Sequence, residues 1–201
     1  MVRILVLLSL MVGLAACGNG AKDLEKPLEP LGDMKLGFAV VVAPDPVKGP
    51  LSRDANPDEW VAAMQKQVDL RFQRYQGEKF YNIGISVDGY VLAQPGIPIV
   101  LSPKSVLIIK ATVWDDAAGT KLNDEAEQIT VLEAVNPETA ILGSGLTQSK
   151  AKQMENLSIN AAFQVERWMR RMQAEKGWFG GEAAVETDAD TTVSQTAAEA
   201  G

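Results

Sequence analysis

Hydrophobic positions along the chain change period several times, and each change marks an element. Phe38-Ala-Val-Val-Val-Ala43 is an unbroken apolar run between Gly37 and Pro44, the pattern of a buried central strand. Pro44-Asp-Pro46 and Lys48-Gly-Pro50 follow as a loop. Asn56-Pro57-Asp58-Glu59 then starts a helix: Asn56 is a capping residue, Pro57 suits the first helical position, and Glu59 completes a capping box. Trp60, Met64, Val68, Phe72 and Tyr75 recur at three- and four-residue spacing, so this helix has one apolar face and ends near Gly77. Lys66, Arg71 and Arg74 fall on its other face.

The period next drops to two. Tyr81, Ile83, Ile85 and Val87 alternate with Asn82, Gly84, Ser86 and Asp88, which predicts a half-buried strand. Asp88-Gly89 can bulge or bend it before Tyr90, and Gln94-Pro-Gly-Ile-Pro98 reads as a rigid loop. Val106 to Trp114 is the longest β-prone run, with Leu107, Ile109, Ala111 and Val113 on its apolar face. Asp115-Asp-Ala-Ala-Gly119 signals a hairpin turn, and Leu122 to Ala134 returns as a ragged strand, clearest at Ile129-Thr-Val-Leu132. The last element is a helix from about Thr147 to Ala174, with Met154, Leu157, Ala161, Val165, Trp168 and Met172 on one stripe and Lys176-Gly177 at its end.

The order is therefore β-α-β-β-β-α. It predicts an α+β two-layer sandwich: about four strands in a mixed sheet, with two helices on one face and the other face open to solvent or a partner. That domain is expected over residues 37–178. Residues 179–201 are expected to be a disordered acidic tail, since residues 182–201 hold no aromatics and five acids follow Gly177 without a base.

The N-terminus has a different logic. Arg3 precedes about ten apolar residues and then small ones, ending Leu14-Ala15-Ala16-Cys17, with the polar Gly18-Asn19-Gly20 next. This is the layout of an export signal over residues 1–16, too short for a comfortable membrane span of about 20 residues. Leu14-Ala15-Ala16-Cys17 resembles the lipobox of bacterial lipoproteins. The resemblance implies cleavage before Cys17, a diacylglycerol on its sulfur and usually an acyl group on its new amine. Several acyl chains make a stable anchor, where one alone is marginal. Gly18 in place of aspartate favours, by the same resemblance, the outer membrane facing the periplasm. Residues 17–36, with Pro27, Pro30 and Gly32, read as a lipidated tether. The anchor and the element order also resemble the lipopolysaccharide-assembly lipoproteins, and from that likeness only Cys17 carries over as a functional residue.

Charge and composition narrow the chemistry. The net charge is -7, from 19 basic and 26 acidic residues, which is unsuited to nucleic acid. With no histidine and one cysteine, there is no His-based triad, thiolate zinc site or intramolecular disulfide. No catalytic set and no cofactor motif stands out, so an enzyme is not expected.

The candidate contact residues are few. Asp115 and Asp116 are an adjacent carboxylate pair in the expected core: a solvated turn first, a divalent-cation site second. Trp114 is expected under a helix, with an exposed contact as the alternative. Arg167, Arg170 and Arg171 read as a solvated helix end, or as a contact for anionic headgroups. Trp178-Phe179 is expected to fold back on the sheet, or else to mark a partner-binding segment. The function expected from all this is a non-enzymatic binding or assembly component of the cell envelope with a protein partner. The alternative is a small-ligand or lipid binder that uses a groove between sheet and helices.

Overall fold

The computed structural model describes residues 20–94, 105–133 and 148–180. Cys17, the export signal, Pro95–Pro98 of the expected rigid loop and the tail beyond Gly180 lie outside the described residues. The fold is α+β with two layers. One mixed sheet is built from β1 (Met34–Val42), β2 (Val47–Lys48), β3 (Lys79–Val91), β4 (Val106–Asp115), β5 (Thr120–Lys121) and β6 (Glu127–Leu132). Against it pack α2 (Pro57–Phe72) and α3 (Lys150–Lys176), preceded by a short α1 (Gly20–Leu24). β1 and β2 line one side of β3, β4 the other, and β5 and β6 share the far side of β4. Only the β1 and β2 pairings with β3 are parallel, as their connection through α2 requires.

Local signals explain most of these elements. Asn56 Oδ1 accepts from the Asp58 N–H at 3.1 Å, and Glu59 Oε2 accepts from the Asn56 N–H at 2.8 Å, so the capping box is formed with Pro57 in the first turn. α3 ends in Gly177 at φ 64°, a conformation glycine adopts without a Cβ penalty. The β3–β4 register shifts between Val87 and Gly89, which is the expected bulge. The Asp115–Gly119 turn closes with Gly119 N–H donating to the Asp115 carbonyl at 2.9 Å.

The core lies between sheet and helices. Trp60, Met64, Val68 and Phe72 of α2, which packs on β1 and α3, join Tyr81, Ile83, Ile85 and Val87 of β3 in one buried cluster, and Leu157, Ala161, Val165 and Met169 of α3, which packs on β4 and β6, join Leu107, Ile109 and Val131 in it. All are nearly or wholly inaccessible to water. Trp178 and Phe179 do fold back: Phe179 is fully buried edge-on to Tyr81 at 4.9 Å, and Trp178 stands edge-on to Trp168 at 5.3 Å. The packed chain therefore continues past 178.

Four expectations are corrected. β1 is an edge strand rather than a central one, because its run of valines is shared between two environments: Val41 points into the core, while Phe38, Val40 and Val42 point out. α2 stops at Phe72, short of Gly77, and Gly77 serves a close approach instead. Its N–H donates to the Met34 carbonyl at 3.0 Å, and a Cβ there would lie 2.1 Å from the Asp33 backbone. Residues 20–36 are not a free tether, since α1 packs on α3, Leu31 is buried and β1 begins at Met34. Finally, Arg71 is not on a solvated face. It is 1% exposed, turned between α2 and α3, where Glu166 and Asp23 neutralise it.

Candidate functional site

The outward-pointing residues of β1, β3 and β4 form a second surface with no helix over it among the described residues. β1 supplies Phe38, Val40 and Val42, which are 56%, 48% and 47% exposed. β3 supplies a floor of small and polar residues, Asn82, Gly84 and Ser86, and β4 supplies Lys110, Thr112 and Trp114. Together they line a groove of about 560 Å³, with Asp115 and Asp116 at one end.

Two details give the groove its shape. Gly84 lets the Trp114 ring lie across β3, because a Cβ there would come within 2.9 Å of the ring. Asn82 holds the β1 side. Its Oδ1 accepts from the Phe38 N–H at 3.1 Å, in the stretch between Leu36 and Ala39 where the β1–β3 register slips, and its Nδ2 donates to Asp116 Oδ1 at 2.8 Å. One side chain thus satisfies a bulge amide and ties the hairpin turn to the edge strand.

At the other end, Ser86 Oγ donates to Asp88 at 2.7 Å and Lys110 Nζ pairs with Asp88 at 2.8 Å. Burial works against the Asp88 charge, but the hydrogen bonds from Lys110 and Ser86 outweigh it and hold its carboxyl below the usual aspartate value.

The sequence-predicted residues separate here. Trp114, Asp115 and Asp116 come together at the groove. Trp114 is not under a helix: strand alternation puts it on the face opposite Val113, half-buried, with the Lys121 ammonium 5.7 Å from its ring centre. Asp115 accepts from the Ala118 N–H at 2.9 Å and Asp116 from Asn82, so both carboxylates serve the turn. Among the described residues no three acidic or thiol side chains gather as a metal site would need.

Arg167, Arg170 and Arg171 do not act as one basic set, because each is turned to a different partner. Arg171 reaches Glu127 at 3.5 Å, and Arg167 lies over the Phe163 ring. Arg170 turns inward, donating to the Tyr75 hydroxyl at 2.8 Å and to Glu166 at 3.2 Å.

Arg170 thereby joins a buried network that the spacing did not reveal. Arg71 pairs with Glu166, donates to Asp23 at 3.0 Å and to the Gly20 carbonyl at 2.7 Å, and Tyr75 donates to Glu166. Burial first, and then the Glu166 charge beside it, push the Tyr75 hydroxyl far above its ordinary value. An arginine one residue before the buried Phe72 was the available signal, but Arg71 shares its helical turn with the exposed Lys66 and Arg74 side and reads as solvated without its partner in view.

No helix of the described residues is long and apolar enough to cross a membrane. No family model matches the chain, and no curated protein matches it. Solved bacterial structures resemble it in part. A provisionally assigned lipoprotein from Caulobacter crescentus aligns with a TM-score of 0.39 at 12% identity, over 73% of this chain and 93% of that one. A Xanthomonas campestris protein of the DUF330 family gives 0.39 at 11%, over 74% and 93%. A minor lipoprotein from Acinetobacter baumannii gives 0.28 at 16%, over 66% and 92%. Likeness at this level settles neither family nor function.

Proposed function

We propose that this chain is a lipid-anchored protein of the bacterial cell envelope, held through Cys17 at the outer membrane and facing the periplasm, and that it binds another envelope protein in the groove of its helix-free sheet face. It works by binding, not by catalysis. The observation that carries the reading is the gathering of Phe38, Val40, Val42 and Trp114 along one groove. An exposed apolar patch of this kind, fringed by polar side chains such as Lys110, Asp115 and Asp116, has the make-up of an interface. The partner is a protein that seats a short apolar segment there. The lipobox at Leu14-Ala15-Ala16-Cys17 supports the anchor, and the likeness of the element order to lipopolysaccharide-assembly lipoproteins agrees with the compartment.

The test is site-specific photo-crosslinking in cells. A photoreactive residue at position 40, in the groove, is expected to yield a discrete adduct with one envelope protein. The same residue at position 70, exposed on α2, is expected to yield none. Equal adducts at both positions, or none at 40, would sink the reading. Cys17→Ser tests the anchor separately through loss of membrane fractionation.

The groove volume favours one second reading, since about 560 Å³ lies in the range of small-ligand sites. The ligand would sit on the outer sheet face, not between sheet and helices, where the side chains are closely packed. A lipid co-extracted with the native protein and absent from Trp114→Ala would bring this reading forward.

A further inference from the structure

The geometry points to a domain seated directly on the membrane surface by the back of α3, with the groove turned away from the bilayer. This rests on the proposed lipidation of Cys17 and goes beyond it, because an anchor alone fixes no orientation.

The starting observation is how firmly Gly20 is held. It is buried, its N–H donates to Asn160 Oδ1 at 3.0 Å, and its carbonyl accepts from the buried Arg71 at 2.7 Å. A Cβ at this position would sit 2.9 Å from Phe163 Cβ and 3.0 Å from the Ile159 carbonyl, so the backbone lies flush against α3. Both polar groups of one N-terminal residue are thus gripped by side chains from two different helices. Arg71 is in turn fixed by Glu166 and by Asp23, which belongs to α1 itself. A buried charged network is a costly way to stabilise a core. It suits a different purpose, which is to fix where the chain leaves the domain.

Only two residues, Gly18 and Asn19, separate Gly20 from Cys17. Three backbone steps span at most about 11 Å even when fully extended. The headgroup layer on each side of a bilayer is itself about 6 Å deep. A lipid-bearing Cys17 therefore brings Gly20, and the α3 surface it touches, to the headgroups.

The side of α3 involved is also determined. Phe163 lies about 160° round the helix from Ala161 and the stripe that faces the sheet. α1 therefore covers the outer side of the helical layer, and the groove opens on the opposite side of the two-layer domain. Lys22, Lys26 and Arg167 are exposed on the membrane-facing side, while Val40 and Thr130 face away.

The test uses the full lipidated protein in vesicles of phosphatidylethanolamine and phosphatidylglycerol, some lipids carrying a nitroxide on the headgroup. Fluorophores are placed at Lys22→Cys or at Thr130→Cys. Quenching is expected to be several-fold stronger at position 22 than at 130. Inserting ten flexible residues between Gly18 and Asn19 is expected to abolish the difference while the protein still floats with the vesicles. Equal quenching at both sites in the floating, uninserted protein would overturn the seating while leaving the anchor intact. A difference that survives the insertion would overturn the short neck as its cause. Protein that fails to float would overturn the anchor, and the seating with it.

Discussion

The face of the sheet that meets the helices and the face that meets solvent are built from the same strands, yet they spend their residues differently. Under α2 and α3 the sheet carries large apolar side chains, Tyr81, Ile83, Ile85, Leu107 and Ile109, all part of the buried cluster. Buried charges enter that layer as one connected network, Arg71 and Glu166 with Tyr75 and Asp23. On the other face β3 turns out Asn82, Gly84 and Ser86, and the apolar residues sit to either side of them, on β1 and at Trp114. The first arrangement fills space and the second leaves a channel. Small residues on a central strand flanked by large ones on its neighbours make a groove wherever no second layer fills it, so the difference separates a stabilising surface from a binding one.

The contrast predicts graded effects. Trp60→Ala, in the filled layer with its ring tilted against Tyr90 at 5.3 Å, is expected to cost about 3–5 kcal/mol in urea denaturation, because the cavity cannot collapse against a sheet. Arg71→Ala is expected to cost a similar amount, about 3–5 kcal/mol, by leaving Glu166 buried without its main partner. Pairing Arg71→Met with Glu166→Leu is expected to recover part of that loss. Recovery in the double variant is the sharper measurement, since simple loss of packing would only accumulate.

The pH dependence separates the faces further. Tyr75, in the helical layer, is held protonated in the fold. Its stabilisation is therefore complete below the ordinary tyrosine value and is lost as pH rises above about 10. Asp88, on the open face, is held ionised. Its contribution is complete above the ordinary aspartate value and fades as pH falls below about 4. Urea midpoints followed across pH are expected to show an alkaline decline that Tyr75→Phe blunts and an acid decline that Asp88→Asn blunts. The smallest expected effect on stability is that of Val40→Asp on the groove, less than about 0.5 kcal/mol, because the residue is already half in water. A loss as large as that of Trp60→Ala would mean that the groove side is core after all.

How far the sequence reaches depends on whether a residue's partner is near it in the chain. The Asn56–Glu59 capping box, the stop at Gly177, the Asp115–Gly119 turn and the bulge after Val87 are local, and each is formed as read. The candidate site was legible only in pieces. Trp114, Asp115 and Asp116 were singled out, but the Phe38–Val42 run reads as buried, and the groove exists only because it is half outside. Nothing in Phe-Ala-Val-Val-Val tells an edge strand from a central one, since that is decided by what lies alongside.

By itself, then, the sequence determined the two-layer α+β architecture, the start of α2 at Asn56, the stop of α3 at Gly177 and the exclusion of histidine chemistry, because periodicity, capping and composition act over a few residues or none. The tertiary structure alone decided that β1 is an edge, that Trp114 faces away from the helices, that Arg71 is buried against Glu166 95 residues away, and that the chain is already pinned at Gly20. Each of these depends on contacts between segments far apart in the chain, and their energies do not exist until the layers have met.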